Sequence, residues 1–220
     1  MPGNSSPPLD PPAGGRTTPP ARLGLGDLSI RPGDHIAHFY ETRGEWRALL
    51  VGWLLEGLKS GDTCVYCMDA RGRDWIDLRA ALIEAGVDTR GTIESGQLVI
   101  REGLSAPGSL KSALDAAMKE LRGGRLLRWG GDMSWAREWL PTCGALMQVE
   151  SSCNTFRDTP VAFLCQYDLT RFPGYVIMDA QRAHPAVVIA DRLHASSCFE
   201  PPGHFDDLMK RREAERSAPW

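Results

Sequence analysis

No glycine-rich loop in this chain is followed by the lysine of a phosphate cradle. The pattern G-x-x-x-x-G-K-[ST] is absent. In that pattern backbone amides hold the phosphates, lysine neutralises them and Ser or Thr holds magnesium, so a standard phosphate loop is excluded. No apolar run approaches the roughly 20 residues of a membrane-spanning helix, and the first residues lack the apolar core of a signal peptide. The expectation is a cytoplasmic protein with no membrane contact. Excess positive charge is missing too: the net charge is −3 and the isoelectric point near 6.0, which argues against direct nucleic-acid binding. Six scattered cysteines are too few for a disulfide framework and are expected as thiols. Neither G-x-S-x-G nor a Ser-His-Asp arrangement is visible, so a hydrolase triad has no support.

With 220 residues, 42% of them hydrophobic, the chain suits one globular domain with polar ends. Residues 1–24 are rich in proline, glycine and serine and read as a disordered leader. Residues 25–204 carry the folded pattern. Residues 205–220 (FDDLMKRREAERSAPW) read as a charged tail whose helix frays or awaits a partner. Between the ends, strands expected at Asp34–Tyr40, Thr63–Met68, Leu98–Ile100, Arg125–Trp129, Val161–Tyr167 and Ala186–Ala190 alternate with helices at Glu45–Lys59, Asp74–Ala85, Ser109–Leu121, Cys143–Phe156 and Gly174–Arg182. Such alternation implies βαβ units and an α/β fold of three layers, a mostly parallel sheet between helices. The near-continuous apolar run VAFLC at 161–165 fits a sheet covered on both faces.

Ligands of open parallel sheets bind outside the carboxyl ends of the strands. That rule selects His38–Glu41, Asp69–Arg71, Gly131–Trp135 and Gln166–Asp168, and predicts one crevice lined by Tyr40, Glu41, Asp132, Trp135, Gln166, Tyr167 and Asp168. The plainer readings are that Asp132 caps a helix, Asp168 forms a turn, Ser134 is an N-cap and the tyrosines are rim aromatics. No metal or other cofactor is expected. Cys64 and Cys67 form C-x-x-C within a strand, where residues three apart face opposite sides, and the same argument sets His35 against His38. The cysteines read as buried structural thiols.

Several blocks together resemble the MEDS domain, named for methanogen and methylotroph sensory proteins and the dichloromethane-responsive regulator: GDHIAHFYE at 33–41, SGDTCVYCMD at 60–69, SGQLVI at 95–100, GDMSWA at 131–136, CQYD at 165–168 and FPGYVIMDAQRAHP at 172–185. The resemblance implies a RecA-like fold with a degenerate phosphate loop, acting as a sensory or regulatory module, often beside DNA-binding or histidine-kinase segments. It places family positions on His35, Tyr40, Glu41, Gln166, Tyr167, Asp168 and His184, and puts Asp132 where the family usually has Glu.

At the first strand–helix junction Glu41 would set negative charge where a triphosphate's charge would lie, a repulsion of about 1–4 kcal/mol at ~4 Å. Arg43 could offset the charge but not replace oriented amides. The expectation is a non-catalytic module that binds an uncharged or cationic small ligand, or a signalling protein such as a histidine kinase, an anti-sigma factor or a transcription regulator. A weak nucleotide-binding or ATPase domain and a protein-interaction scaffold are the alternatives.

Overall fold

The computed structural model describes residues 21–68, 73–104, 109–119, 121 and 125–215. A two-stranded hairpin, β1 (Ala21–Arg22) and β2 (Ser29–Ile30), precedes β3 (His35–Tyr40), α1 (Arg43–Ser60), β4 (Thr63–Cys67), α2 (Arg73–Glu84), α3 (Thr89–Glu94), β5 (Leu98–Arg101), α4 (Ser109–Lys119) and β6 (Leu127–Asp132). After a 3₁₀ turn come α5 (Ala136–Trp139), α6 (Cys143–Cys153), β7 (Val161–Asp168), α7 (Gly174–Ala183), β8 (Ala186–Ile189), β9 (Arg192–Ala195) and α8 (Pro202–Glu215). The seven-stranded sheet has the order β5-β4-β6-β7-β3-β8-β9. Every pairing in it is parallel except the outermost, β8 with β9. The expected three-layer α/β architecture is the one found.

The alternation along β7 builds both layers at once. Val161, Phe163, Cys165 and Tyr167 enter the core beneath α4, α6 and α7, while Ala162 and Leu164 enter the core beneath α1 and α2. Helix α1 buries Trp46, Leu49, Leu50, Trp53 and Leu54 along one stripe and stops at Gly61, which takes a left-handed φ of 77°. Each fully buried leucine contributes roughly 1.5–3 kcal/mol relative to exposure, so Leu49, Leu50 and Leu54 fix this helix to the sheet. Beneath it, buried Arg128 donates to Asp62 at 2.9 Å and to the Trp53 carbonyl at 3.1 Å. The cation is thereby paired inside the core, as a buried charge must be.

Beyond the unexpected short elements β2, α3 and α5, four others depart from expectation. Strand β6 runs on through Gly130, Gly131 and Asp132 rather than stopping at Trp129. The glycines act here not as a turn but as thin strand residues: a Cβ on Gly130 would come within 3.0 Å of the Tyr66 ring. Strand β9 forms a hairpin with β8 through Ala190 and Asp191, both at positive φ (48° and 60°). Ala-Asp is a weak signal for a turn that prefers Asn-Gly. Residues 21–24, expected within the leader, include β1 and fully buried Leu23; the rest of that leader lies outside the described residues. Finally, α8 is a docked helix rather than a fraying tail: Phe205 and Met209 are buried in the core beside α6, and Arg212 pairs with Asp179 of α7.

The β1–β2 hairpin lies across α1 where two glycines meet. A Cβ on Gly52 would sit 1.9 Å from the Gly24 carbonyl oxygen, which no backbone tolerates. Gly52→Ala is expected to destabilise the protein by about 1–3 kcal/mol and to expose residues 21–30 to protease. Equilibrium denaturation with limited proteolysis checks this, and an unchanged midpoint would show that the hairpin does not rest on α1.

Candidate functional site

The strand–helix junction after β3 is closed by its own side chains. Thr42 is the N-cap of α1 and accepts from the Glu45 amide at 3.2 Å. The Glu45 carboxylate reaches back and accepts from the amides of Glu41 (2.8 Å) and Thr42 (3.1 Å). These are amides that an anion at the helix N-terminus would use. Arg43 pairs with Asp74 and lies 4.3 Å over the Trp46 ring, while the Glu41 side chain faces solvent.

The residues expected around one crevice divide between the two faces of the sheet. On the α1 side, the Tyr40 hydroxyl donates to Asp132 Oδ2 at 2.9 Å, and Asp132 Oδ1 accepts from the Ser134 amide at 2.9 Å. Deeper on this face the Trp46 indole donates to the Tyr66 hydroxyl (3.1 Å), which donates to Gln166 Oε1 (2.6 Å). Gln166 Nε2 donates to His38 Nδ1 (2.8 Å) and to the Trp46 carbonyl (3.2 Å). Three of the four hydrogen-bonding positions of the Gln166 amide are thus used internally. Burial, then the charge of Asp132, raises the Tyr40 phenol well above its ordinary range, so it stays a donor. Burial lowers His38 to about 4, against a weaker pull from Glu45, so its ring is neutral with an accepting Nδ1.

On the opposite face, Tyr167 donates to Glu150 Oε1 in a short hydrogen bond. His35 Nε2 lies 3.1 Å and His184 Nε2 3.2 Å from Glu150 Oε2, and Cys165 Sγ lies 3.6 Å from His35 Nε2. Burial, then His184, lowers His35 to about 4. Burial works against the Glu150 carboxylate, and only a proton on His184 or His35 would outweigh it and hold the group below its ordinary range. Burial and the Glu150 charge push the Cys165 thiol and the Tyr167 phenol up. Cys64 and Cys67 are free, buried and raised to about 12 by burial, and they face different cores.

At the carboxyl end of β6 the polar groups of Ser134 and Trp135 have no partner among the described residues. Ser134 Oγ and Trp135 Nε1 are buried without a hydrogen bond, although the two residues are 7% and 9% exposed. Asp132, not Ser134, caps the following turn. Asp168 accepts from the Thr170 amide (2.9 Å) and hydroxyl (2.6 Å), the turn-forming role. The expected stretch Asp69–Arg71 lies outside the described residues.

Residues 34–185 match the family described as MEDS, the methanogen/methylotroph, DcmR sensory domain. The chain belongs to the MEDS family. It is also 28% identical over 168 residues to the transcriptional repressor DcmR of Methylorubrum extorquens (strain DSM 6343 / CIP 106787 / DM4), an alignment covering 74% of this chain and 63% of that repressor. Two solved structures from Pyrococcus horikoshii share the fold. A KaiC-like protein has a TM-score of 0.57 at 13% identity, covering 77% of this chain and 79% of that one. An uncharacterized protein solved with an unknown peptide has a TM-score of 0.55 at 15% identity, covering 72% and 77%. Among the described residues of this MEDS domain no helix is long and apolar enough to cross a membrane.

Glu150, Asn154, Tyr66 and Glu45 complete these clusters and are not among the residues expected from the sequence. Two of them leave a readable sign. Thr42-x-x-Glu45 is a capping box. Glu150 is a lone acid on the buried stripe of α6, one turn from Leu146 and from Cys153.

His38 gives this MEDS domain an acid sensitivity. The unfolded chain protonates His38 near its ordinary 6.5 and the folded chain only near 4. Stability tied to the neutral ring is therefore complete above pH 6.5 and is lost as pH falls toward 4, by at most about 3 kcal/mol. In His38→Gln, whose side-chain oxygen can still accept from Gln166, the stability lost between about pH 7 and about pH 4.5 is expected to shrink. Urea denaturation at both pH values measures it, and equal losses in both proteins would remove His38 as a source.

Proposed function

We propose that this protein is a non-catalytic sensory module of transcriptional control or signal transduction. It takes an uncharged small ligand at the carboxyl end of β6 and passes its state to a separate effector protein. The supporting observation is the pair of donors at Ser134 Oγ and Trp135 Nε1, buried without partners among the described residues beside the capping Asp132. An unpaired buried donor costs about 1–3 kcal/mol, a cost that a ligand carbonyl or hydroxyl would recover. The printed role of the DcmR relative, transcriptional repression, supports regulation as the setting. Against nucleotide chemistry stands Glu45, whose carboxylate occupies the amides of Glu41 and Thr42; an incoming phosphate would have to displace it against like charge.

A thermal-shift panel of small neutral metabolites, run beside magnesium-ATP, tests this reading. A metabolite is expected to raise the melting temperature and magnesium-ATP to leave it unchanged. Ser134→Ala removes a group with no internal partner, so the free variant is expected to be at least as stable as the parent while the metabolite's shift falls. Phosphate release from ATP at an enzymatic pace would overturn the non-catalytic reading. A metabolite shift that Ser134→Ala leaves untouched would move the ligand away from β6.

A further inference from the structure

The cluster between β3, α6, β7 and α7 holds more lone pairs than it has protons to share. His184 Nδ1 lies 2.6 Å from the Ala180 carbonyl. A carbonyl only accepts, so the proton is on Nδ1 and Nε2 carries a lone pair. Asn154 donates through Nδ2 to the Ala183 carbonyl at 2.8 Å, which turns its Oδ1 toward His35 Nδ1 at 3.1 Å. That oxygen also only accepts, so neutral His35 is protonated on Nδ1 and offers its Nε2 lone pair. Tyr167 occupies Glu150 Oε1 and leaves Oε2 facing both imidazoles. Two nitrogens and one carboxylate oxygen thus meet at 3.1 and 3.2 Å with no donor among them. His184 Nε2 is buried and off the axis of any hydrogen bond.

We propose that His35 Nε2, His184 Nε2, Glu150 Oε2 and Cys165 Sγ form a closed, four-coordinate site for a zinc-type divalent cation. The four donor atoms lie within 4.8 Å of one another. A tetrahedral zinc, with arms of about 2.0–2.1 Å to nitrogen or oxygen and about 2.3 Å to sulfur, separates its ligand atoms by about 3.4 Å and about 3.6 Å. The spacings of 3.1 and 3.2 Å to oxygen and 3.6 Å to sulfur are close to those edges. Imidazole and thiolate select zinc over magnesium or calcium. Three ligands are held from behind, His184 by Ala180, His35 by Asn154 and Glu150 by Tyr167, the arrangement that orients metal ligands. A dication with one carboxylate and one thiolate is neutral, which suits residues no more than 6% exposed; the Cys165 proton leaves as the metal binds. No position is left open, so the site is structural and is loaded as the chain folds.

The test refolds the full chain from denaturant under reducing conditions, with and without zinc, and then counts retained metal. About one zinc per chain and a raised melting temperature are expected. Cobalt(II) reports the donors: tetrahedral d–d bands together with a thiolate-to-cobalt charge-transfer band, the latter lost in Cys165→Ser. Tyr167→Phe, which removes only the hydroxyl behind Glu150, is expected to weaken affinity about 10–100-fold. Refolded wild-type protein that retains no metal overturns the proposal, because a shared proton then fills the cluster; this reading needs no variant to fold. A charge-transfer band that survives Cys165→Ser, or affinity unchanged in Tyr167→Phe, also overturns it.

Discussion

A sheet covered on both faces gives its polar side chains no water to turn to. Each must find a partner from the strand or helix beside it, because an unsatisfied buried group costs as much as a good hydrogen bond contributes. Tyr66, Gln166 and His38 meet that demand on one face, and Tyr167, Glu150 and Asn154 on the other. Both polar clusters follow from this constraint, and the buried, unpartnered donors of Ser134 and Trp135 are exceptions to it.

The junction after β3 obeys the same demand by another route. A nucleotide-driven machine leaves the first amides of its helix open for phosphate. Here Glu45 and Thr42 satisfy one another's backbone within a single turn, and Arg43 is drawn away by Asp74. The chain shares its fold with the KaiC-like neighbour, and at this junction its helix-end amides are satisfied from within.

Much of the architecture was legible because its signals are local. The run VAFLC, the stripe of α1 and the glycine after it specify β7 and α1 without reference to anything distant. The site was less legible because its geometry depends on face and register. Gln166 and Tyr167 are neighbours in a strand and must point apart, so grouping them in one crevice overlooked the alternation within the expected strand. His35 could not pair with His38 for the same reason, but it could meet His184, 149 positions along the chain, because β3 and β8 are adjacent in the sheet. No spacing rule along the chain anticipates such a meeting. Strand β9 escaped because its turn uses Ala-Asp, and α8 because its charge hides two anchoring residues, Phe205 and Met209.

Helix α7 joins two distant parts of the molecule. Asp179 on its buried side is gripped by Arg212 from the C-terminal helix, and His184, at its end, faces Glu150. Five residues of α-helix span only about 7.5 Å, a rod too short to bend between those points. The C-terminal helix is therefore tied, through Asp179, to the same helix that ends at His184.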